Sequence, residues 1–325
     1  MTTNSDGLIL GIDLGGTKIR SISFDREMNL IGEDYRETEA EHGPEAVMAR
    51  MADSARDAAK GHPILAAGIS TPGPSMPSKG IVTAPPNLPG WKDVPLADRM
   101  SSLLGVPAWI ENDANAAAIA EHQQGAGKGL QHMILVTLGT GVGGGLILDG
   151  KLFYGASGGA GEVGHMLIVP DGPRCGCGRL GCLEAVASGV ALGREATELV
   201  QRSPDGILRK LLREANGGDG WSMAPDAKLL REAADAGDQA ADAVIRRAGR
   251  YLGAGLTNLV NIFNPEMIVL GGSLIRMGEP YIGEAKKVVE LDAFDQHFRD
   301  VRIVDAELGD ESPAIGAALV ARARI

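Results

Sequence analysis

A chain of 325 residues, 44% of them hydrophobic, is long enough for two domains that each bury a core of their own. A net charge of −11 and an aromatic content of only 4% exclude the basic, base-stacking surface with which proteins hold a nucleic-acid strand. No apolar run reaches the roughly 18 residues that a membrane helix needs, so no membrane partner is expected.

The chain opens on GLILGIDLGG, an apolar run that ends in glycines and reads as a buried strand entering a turn. Neither this run nor what precedes it has the basic-then-apolar order of a secretory signal. TKIRSISFD and LIGEDYRETE read as two further strands joined tightly at Asp25 to Asn29. Residues from about Pro44 to Lys60 carry the Ala, Met and Arg of a helix, and ILAAGIST is the next strand. PGPSMPSKGIVTAPPNLPGW is rich in Pro and Gly and too long for a simple connector; loops of that length are often functional. A helix over about Leu96 to Leu104 and a strand at PAWIEND follow. Asn112 and Asp113 therefore fall where a strand ends and the helix ANAAAIAEHQQG begins.

HMILVTLGTGVGGGLILDG then restarts the pattern of strand, glycine turn and strand, a weak internal repeat of architecture rather than of letters. From about Ala185 to Phe263 the chain reads as helical, with loops near Asp205 and Gly217. EMIVLGGSL is a strand ending in a Gly-Gly turn. A helix, a strand at VRIVDA and a terminal helix, SPAIGAALVARA, complete the chain. Strands alternating with helices mean an α/β fold.

All three cysteines lie within GHMLIVPDGPRCGCGRLGCLE, at Cys175, Cys177 and Cys182. Three thiols cannot all pair within one chain, and a bridge between Cys175 and Cys177 would close a strained ring. Three thiolates with an imidazole make a Cys3His set, a common closed tetrahedral zinc site, and His165 is the nearest fourth ligand. Gly176, Gly178 and Gly181 let the chain fold tightly around an ion. The alternative is three reduced cysteines in a glycine-rich loop. Such cysteine usage points to a reducing cytoplasm.

Three glycine turns end strands: Gly15-Gly16-Thr17, Gly139-Thr140-Gly141 and Gly271-Gly272-Ser273. Glycine lets backbone amides converge on an anion, and Thr17 and Thr140 add hydroxyl donors. The Walker spacing is absent. GTGVGG matches the dinucleotide fingerprint in letters, but the apolar LILDG after it reads as a strand, which argues against a Rossmann site. Asp13 precedes the first turn, where a carboxylate commonly contacts Mg²⁺; its alternative is a turn-forming Asp.

These residues resemble the ROK family of sugar kinases and sugar-responsive repressors, within the actin–hexokinase superfamily. GIDLGGTK looks like the first phosphate motif, LGTGVGGG the second and NPEMIVLGGSL the adenosine motif. ENDANAAA carries the aspartate expected of the catalytic base, and GGAGEVGHM followed by CGCGRLGCLE is similar to the family signature with its zinc loop. PPNLPGW together with the cysteine loop looks most like the bacterial glucokinase branch. The resemblance implies two actin-like (ribonuclease H-like) α/β domains with an interdomain cleft. It divides the chain into 1–113 plus 311–325, and 114–310 with the zinc loop and an oligomerisation surface. It also implies a homodimer or homotetramer.

The activity implied is phosphorylation of glucose at the 6-hydroxyl by ATP with Mg²⁺. Asp113 is the implied base; its alternative is a helix cap, which Asp does well. Asn87, Asn112, Glu162, His165 and Glu184 are the implied sugar contacts, though Asn87 can simply shape a Pro-rich turn and Glu184 can cap a helix. Glu162 and His165, three apart, share one side if the chain makes a helical turn there. One ring nitrogen of His165 can bind a structural zinc while the other donates to a sugar hydroxyl, the metal fixing ring and tautomer. Thr17 and Thr140 hold phosphates, Gly139 and Gly141 leave room for amides to do so, and Gly271 and Gly272 pass close to adenosine. Lys18 points either to phosphate or to solvent. His42, His62, His122, His132 and His297 have no motif around them and read as surface or structural. Fructose, N-acetylmannosamine and polyphosphate-dependent kinases are the alternatives within the class. A sugar-sensing repressor is the alternative outside it. Such relatives carry an N-terminal helix-turn-helix, whereas here the first phosphate motif already begins at Gly11.

Overall fold

A computed structural model describes residues 7–217, 224–298 and 300–325. In chain order they form strands β1 (Leu8–Leu14), β2 (Lys18–Phe24) and β3 (Leu30–Glu37), helix α1 (Gly43–Ala58) and strand β4 (Ile64–Thr71). The two-residue strands β5 (Ser75–Met76) and β6 (Ile81–Val82), helix α2 (Leu96–Leu104), strand β7 (Ala108–Asn112) and helix α3 (Asp113–Gln124) follow. Next come β8 (Met133–Leu138), β9 (Val142–Leu148), β10 (Lys151–Leu152) and helices α4 (Leu183–Ala187), α5 (Gly189–Arg202), α6 (Ile207–Ala215), α7 (Ala227–Asp235) and α8 (Gln239–Phe263). The chain ends with β11 (Met267–Gly271), α9 (Glu284–Asp292), α10 (Asp295–Phe298), β12 (Arg302–Asp305) and α11 (Ser312–Arg322). Two compact units result. The first runs to Gly129 and takes back Gly145–Ala160 and Glu307–Ile325; the second holds Leu130–Gly144 and Gly161–Ala306.

The first unit is built on a sheet of order β3-β2-β1-β4-β7. β1, β2 and β3 are antiparallel neighbours, while β1, β4 and β7 run parallel. β1 reads as an apolar run because both of its faces are covered. Leu10, Ile12 and Leu14 face α1, where Val47, Met48 and Met51 fill one core. Ile9 faces the other way, towards Ile315, Ala318 and Leu319 of α11. That second face has almost no room. A Cβ on Gly11 would stand 1.9 Å from the Ala314 carbonyl oxygen, and one on Gly68 would stand 1.7 Å from that of Ala317. Gly316 of α11 meets α3 just as closely, its Cβ position lying 1.7 Å from the Ala116 carbonyl oxygen. The glycines and alanines of these segments are thus what lets α11 lie on β1, β4 and α3 together.

That packing draws α3 into the first unit, whereas the sequence reading starts the second domain at residue 114. Gly145 acts in the same direction: its Cβ position is 2.5 Å from the Ala118 Cβ of α3. Buried Glu121, also on α3, accepts hydrogen bonds from the backbone amides of Ala126, Glu307 and Leu308 (3.0, 3.2 and 2.8 Å).

The other sheet has the order β10-β9-β8-β11-β12, with β8, β11 and β12 parallel and β10 antiparallel to β9. The long helix α8 packs against α9 through Gly253 and against the turn before it through Gly249, whose Cβ positions fall 2.7 Å from the Ala285 carbonyl oxygen and 2.5 Å from that of Tyr281. Tyr281 is fully buried, and its hydroxyl donates to the Ala187 carbonyl.

The strand and helix order follows the sequence reading, to which the structure adds the short elements β5, β6, β10 and α10. The Pro- and Gly-rich stretch contains the β5–β6 hairpin, tied back by Val82 and Val94, which exchange backbone hydrogen bonds of 2.9 and 2.8 Å. The predicted helical region resolves into α4 to α8, with breaks at 203–206 and after Ala215. Residues 1–6, the 218–223 part of the expected loop near Gly217 and the side chain of His297 lie outside the described residues.

Candidate active site

The C-terminal ends of parallel strands are where open α/β sheets bind ligands, and the first unit places its polar residues there. Register aligns Asp13 with Ser70, Ser70 with Glu111, and Thr71 with Asn112. Ser70 donates to the Asp13 carboxylate at 2.7 Å. Burial pushes Asp13 up to about 6; the neighbouring Asp113 charge adds to this, while the Ser70 hydroxyl and Arg20 oppose it. The two carboxylates therefore sense each other across the strand ends.

Asn112 and Asp113 stand at the junction of β7 and α3, as expected. The cap belongs to Asn112. Its Oδ1 accepts from the amides of Ala114 and Asn115 at 3.1 and 3.2 Å, satisfying two amides that a helix start leaves unpaired. Asp113 is exposed, and its Oδ1 accepts from the Ala114 amide at 2.8 Å. Behind this corner lies a group that motif reading passed over. Glu111, 1% exposed, accepts from the Asn112 amide (3.0 Å), the Asn115 side-chain amide (3.1 Å) and the Tyr154 hydroxyl (2.8 Å).

The first glycine turn lies at the same end of β1. The Gly15 amide donates to the Lys18 carbonyl (2.9 Å), and the Thr38 hydroxyl donates to the Gly15 carbonyl (2.8 Å). Gly16 is required by close approach, since its Cβ position is 2.7 Å from the Cβ of Asn87. Asn87 is thereby brought against the turn, and Thr17 is exposed beside it. Lys18 is exposed and directed at β3, its Nζ 5.1 Å from the centre of the Tyr35 ring.

In the second unit the Gly139–Gly141 turn is knitted to the start of α5. The Gly139 amide donates to the Gly141 carbonyl, and the amides of Gly189 and Val190 donate to the carbonyls of Gly139 and Thr140. Gly272, at positive φ, presses on the end of β8: a Cβ there would meet the Leu138 carbonyl oxygen at 2.4 Å. Gly271 and Gly272 are thus placed beside Leu138, the residue before the second turn.

Glu184, on the first turn of α4, links this turn to the cysteine loop. Its Oε2 accepts from the Val142 amide (3.1 Å) and fills the space where a Gly141 side chain would start, 2.4 Å from that Cβ position. Its Oε1 accepts from the Cys175 thiol at 3.3 Å. Glu162 is exposed and precedes the single turn Val163–His165, in which the His165 amide donates to the Glu162 carbonyl. Gly164 of that turn sits against β9, its Cβ position 2.0 Å from the Val142 carbonyl oxygen.

His165, Cys175, Cys177 and Cys182 bring one donor atom each within 4.8 Å of one another. Cys175 Sγ is 3.7 Å from His165 Nδ1, and Cys177 Sγ is 3.7 Å from Cys182 Sγ. A tetrahedron of Zn–S bonds has an edge of about 3.8 Å, close to the two 3.7 Å separations, so the donor set suits one zinc-sized ion. Nδ1 is the nitrogen turned to Cys175, which leaves Nε2 for another partner. Gly181 makes the loop possible, because at φ 69° its Cβ position is only 1.7 Å from the Val169 carbonyl oxygen.

Two five-stranded mixed sheets, each layered with helices, define an actin-like protein. The crystal structure of a ROK hexokinase from Thermus thermophilus matches with a TM-score of 0.83 at 36% identity, covering 98% of each chain. The ROK family matches residues 9–324, and this chain belongs to that family. It is 34% identical to a glucokinase of Thermotoga maritima over 98% of both proteins. A ROK family glucokinase from Streptomyces griseus, solved with glucose and AMPPNP, matches with a TM-score of 0.82 at 36% identity, covering 98% of this chain and all of that one.

The raised Asp13 gives a pH signature. Folding favours its neutral form, so its contribution to stability is intact below the ordinary value of 3.8 and is lost as the pH rises through about 6. Asparagine stays neutral at every pH. In the absence of nucleotide and divalent cation, the melting temperature of Asp13→Asn relative to wild type should therefore rise between about pH 4 and pH 7. A pH-independent difference in differential scanning fluorimetry would contradict the burial of this carboxylate.

Proposed function

We propose that this chain is an ATP-dependent glucokinase that transfers the γ-phosphoryl group of ATP to the 6-hydroxyl of glucose. Full-length similarity to glucokinases, one of them solved with glucose and an ATP analogue, supports the substrates. The observation that carries the chemistry is the division of labour at the β7–α3 corner: Asn112 provides the cap, and Asp113 stays exposed.

In this reading Asp113 accepts the proton of the 6-hydroxyl as that oxygen bonds to the γ-phosphorus and the bond to the β-phosphate oxygen breaks, releasing ADP. A carboxylate is a weak base, so it acts late, when the hydroxyl has become acidic through bond formation. Positioning does most of the work. Asn87, Asn112, Glu162, His165 and Glu184 bind sugar hydroxyls, a mixture of donors and acceptors that suits groups which both give and take hydrogen bonds. Thr17 and Thr140 donate to phosphates in turns where Gly15, Gly16, Gly139 and Gly141 leave room for the nucleotide, the Gly15 and Gly139 amides being held by the Lys18 and Gly141 carbonyls, and Gly271 and Gly272 leave space for adenosine. Lys18, held over Tyr35, neutralises phosphate only if it leaves that ring. The mutual repulsion of Asp13 and Asp113 is the kind a divalent cation relieves, which fits Asp13 to a Mg²⁺ that arrives with ATP and offsets phosphate charge. The four-residue cluster fits Zn²⁺, which would hold the loop and fix the His165 ring with Nε2 facing a sugar hydroxyl. The domains then correspond to the two actin-like halves of the family, and the protein works as a homodimer or homotetramer in the cytoplasm.

A coupled assay over several hexoses, with ATP or polyphosphate as donor, tests the activity. Glucose with ATP should give the highest kcat/KM. A preference for fructose or N-acetylmannosamine would overturn the glucose assignment, and no hexose phosphorylation at all would overturn the kinase. The metal is tested separately by elemental analysis. The purified protein should carry about one zinc per chain. Cys177→Ser should lower that content and raise the KM for glucose; both values unchanged would remove the scaffold role.

A further inference from the structure

Glu111 is a buried carboxylate among three neutral donors. Desolvating a carboxylate is costly unless its oxygens are hydrogen-bonded, and here both are. The donors are informative by position. The Asn112 amide lies in the peptide that follows Glu111, directly before Asp113. The Asn115 side chain, 5% exposed, belongs to the first turn of α3, directly after it. One carboxylate oxygen, Oε1, accepts from both and so closes a ring around the backbone that carries Asp113. The other oxygen accepts from Tyr154, which follows β10 and lies 43 residues further along the chain. Burial and the Glu111 charge both push the Tyr154 hydroxyl up, so it remains a donor across the working pH range.

We propose that Glu111 is a positioning residue for the kinase reaction, holding the Asp113 corner rigid from behind, with Tyr154 fixing the orientation of its carboxylate. The inference rests on Asp113 being the base. A base aimed at a hydroxyl loses efficiency when its backbone can drift, because proton transfer needs hydrogen-bond distance and alignment. Sugar affinity, which is spread over Asn87, Glu162, His165 and Glu184 as well as Asn112, should depend on that alignment far less than kcat.

The test separates kcat from binding. Tyr154→Phe removes one donor and keeps the ring. It should lower kcat by about 10-fold, with the glucose Kd and the melting temperature near wild type. Glu111→Ala should lower kcat further, and Glu111→Gln, which still offers an acceptor to Asn112 and Asn115, should recover most of it. Amide hydrogen exchange at Asn112, a readout independent of turnover, should quicken in both Tyr154→Phe and Glu111→Ala. Unchanged kcat and exchange in Tyr154→Phe, with an active wild type, would overturn this inference alone. A loss of kcat that follows only a fall in melting temperature would reduce Glu111 to a structural role. An inactive wild type would overturn the kinase reading and this inference with it.

Discussion

The absence of side chains at three glycines is the constraint on which the first unit depends. Gly11 and Gly68 on the sheet and Gly316 on α11 let backbone meet backbone, and no other residue fits any of these contacts without moving the helix. With α11 seated on β1, β4 and α3, the three parallel strands end in a fixed order. Asp13, Ser70 and the Glu111–Asp113 stretch then line one edge in register. The polar edge is a consequence of the tight core beneath it: overpacking at the glycines would propagate to the strand ends, since protein interiors accommodate added volume by shifting backbone.

The second unit reaches a comparable rigidity by a polar route. Glu184 uses one carboxylate oxygen on the Val142 amide beside a glycine turn and the other on the cysteine cluster. A single side chain thus connects the segment read as a phosphate site to the segment read as a zinc loop. The Gly141 position is reserved for that carboxylate, which gives its glycine a second reason besides amide access. Gly164 and Gly181, each pressed against a backbone carbonyl, fix the two ends of the loop in the same manner.

What was legible in the sequence was local. The glycine turns, the Asn112–Asp113 pair and the cysteine cluster each declare themselves within a few residues, because the backbone conformation or donor set they need is written in adjacent letters. The helix Leu96–Leu104 and the strand before Asn112 were legible from periodicity. What was not legible depends on pairing across the chain. Glu111 looks like an ordinary polar residue at a strand end until Tyr154 is brought to it. Glu121 looks like a solvated helix residue until the amides of residues 307 and 308 close over it. The β5–β6 hairpin is too short for any period to appear, and the grouping of α3 with the first unit follows from the contact of Ala116 with Gly316, far along the chain. Lys18 was open between two directions, and only the placement of Tyr35 on the neighbouring strand gave it one.

The account turns on Asp113 as the group that takes the proton. The most direct measurement is turnover of Asp113→Asn alongside calorimetric glucose binding. The asparagine keeps the size and the hydrogen bond to the Ala114 amide but cannot serve as a base. The account predicts a kcat lower by about 1000-fold with glucose affinity largely kept. Turnover close to wild type in that variant would contradict it.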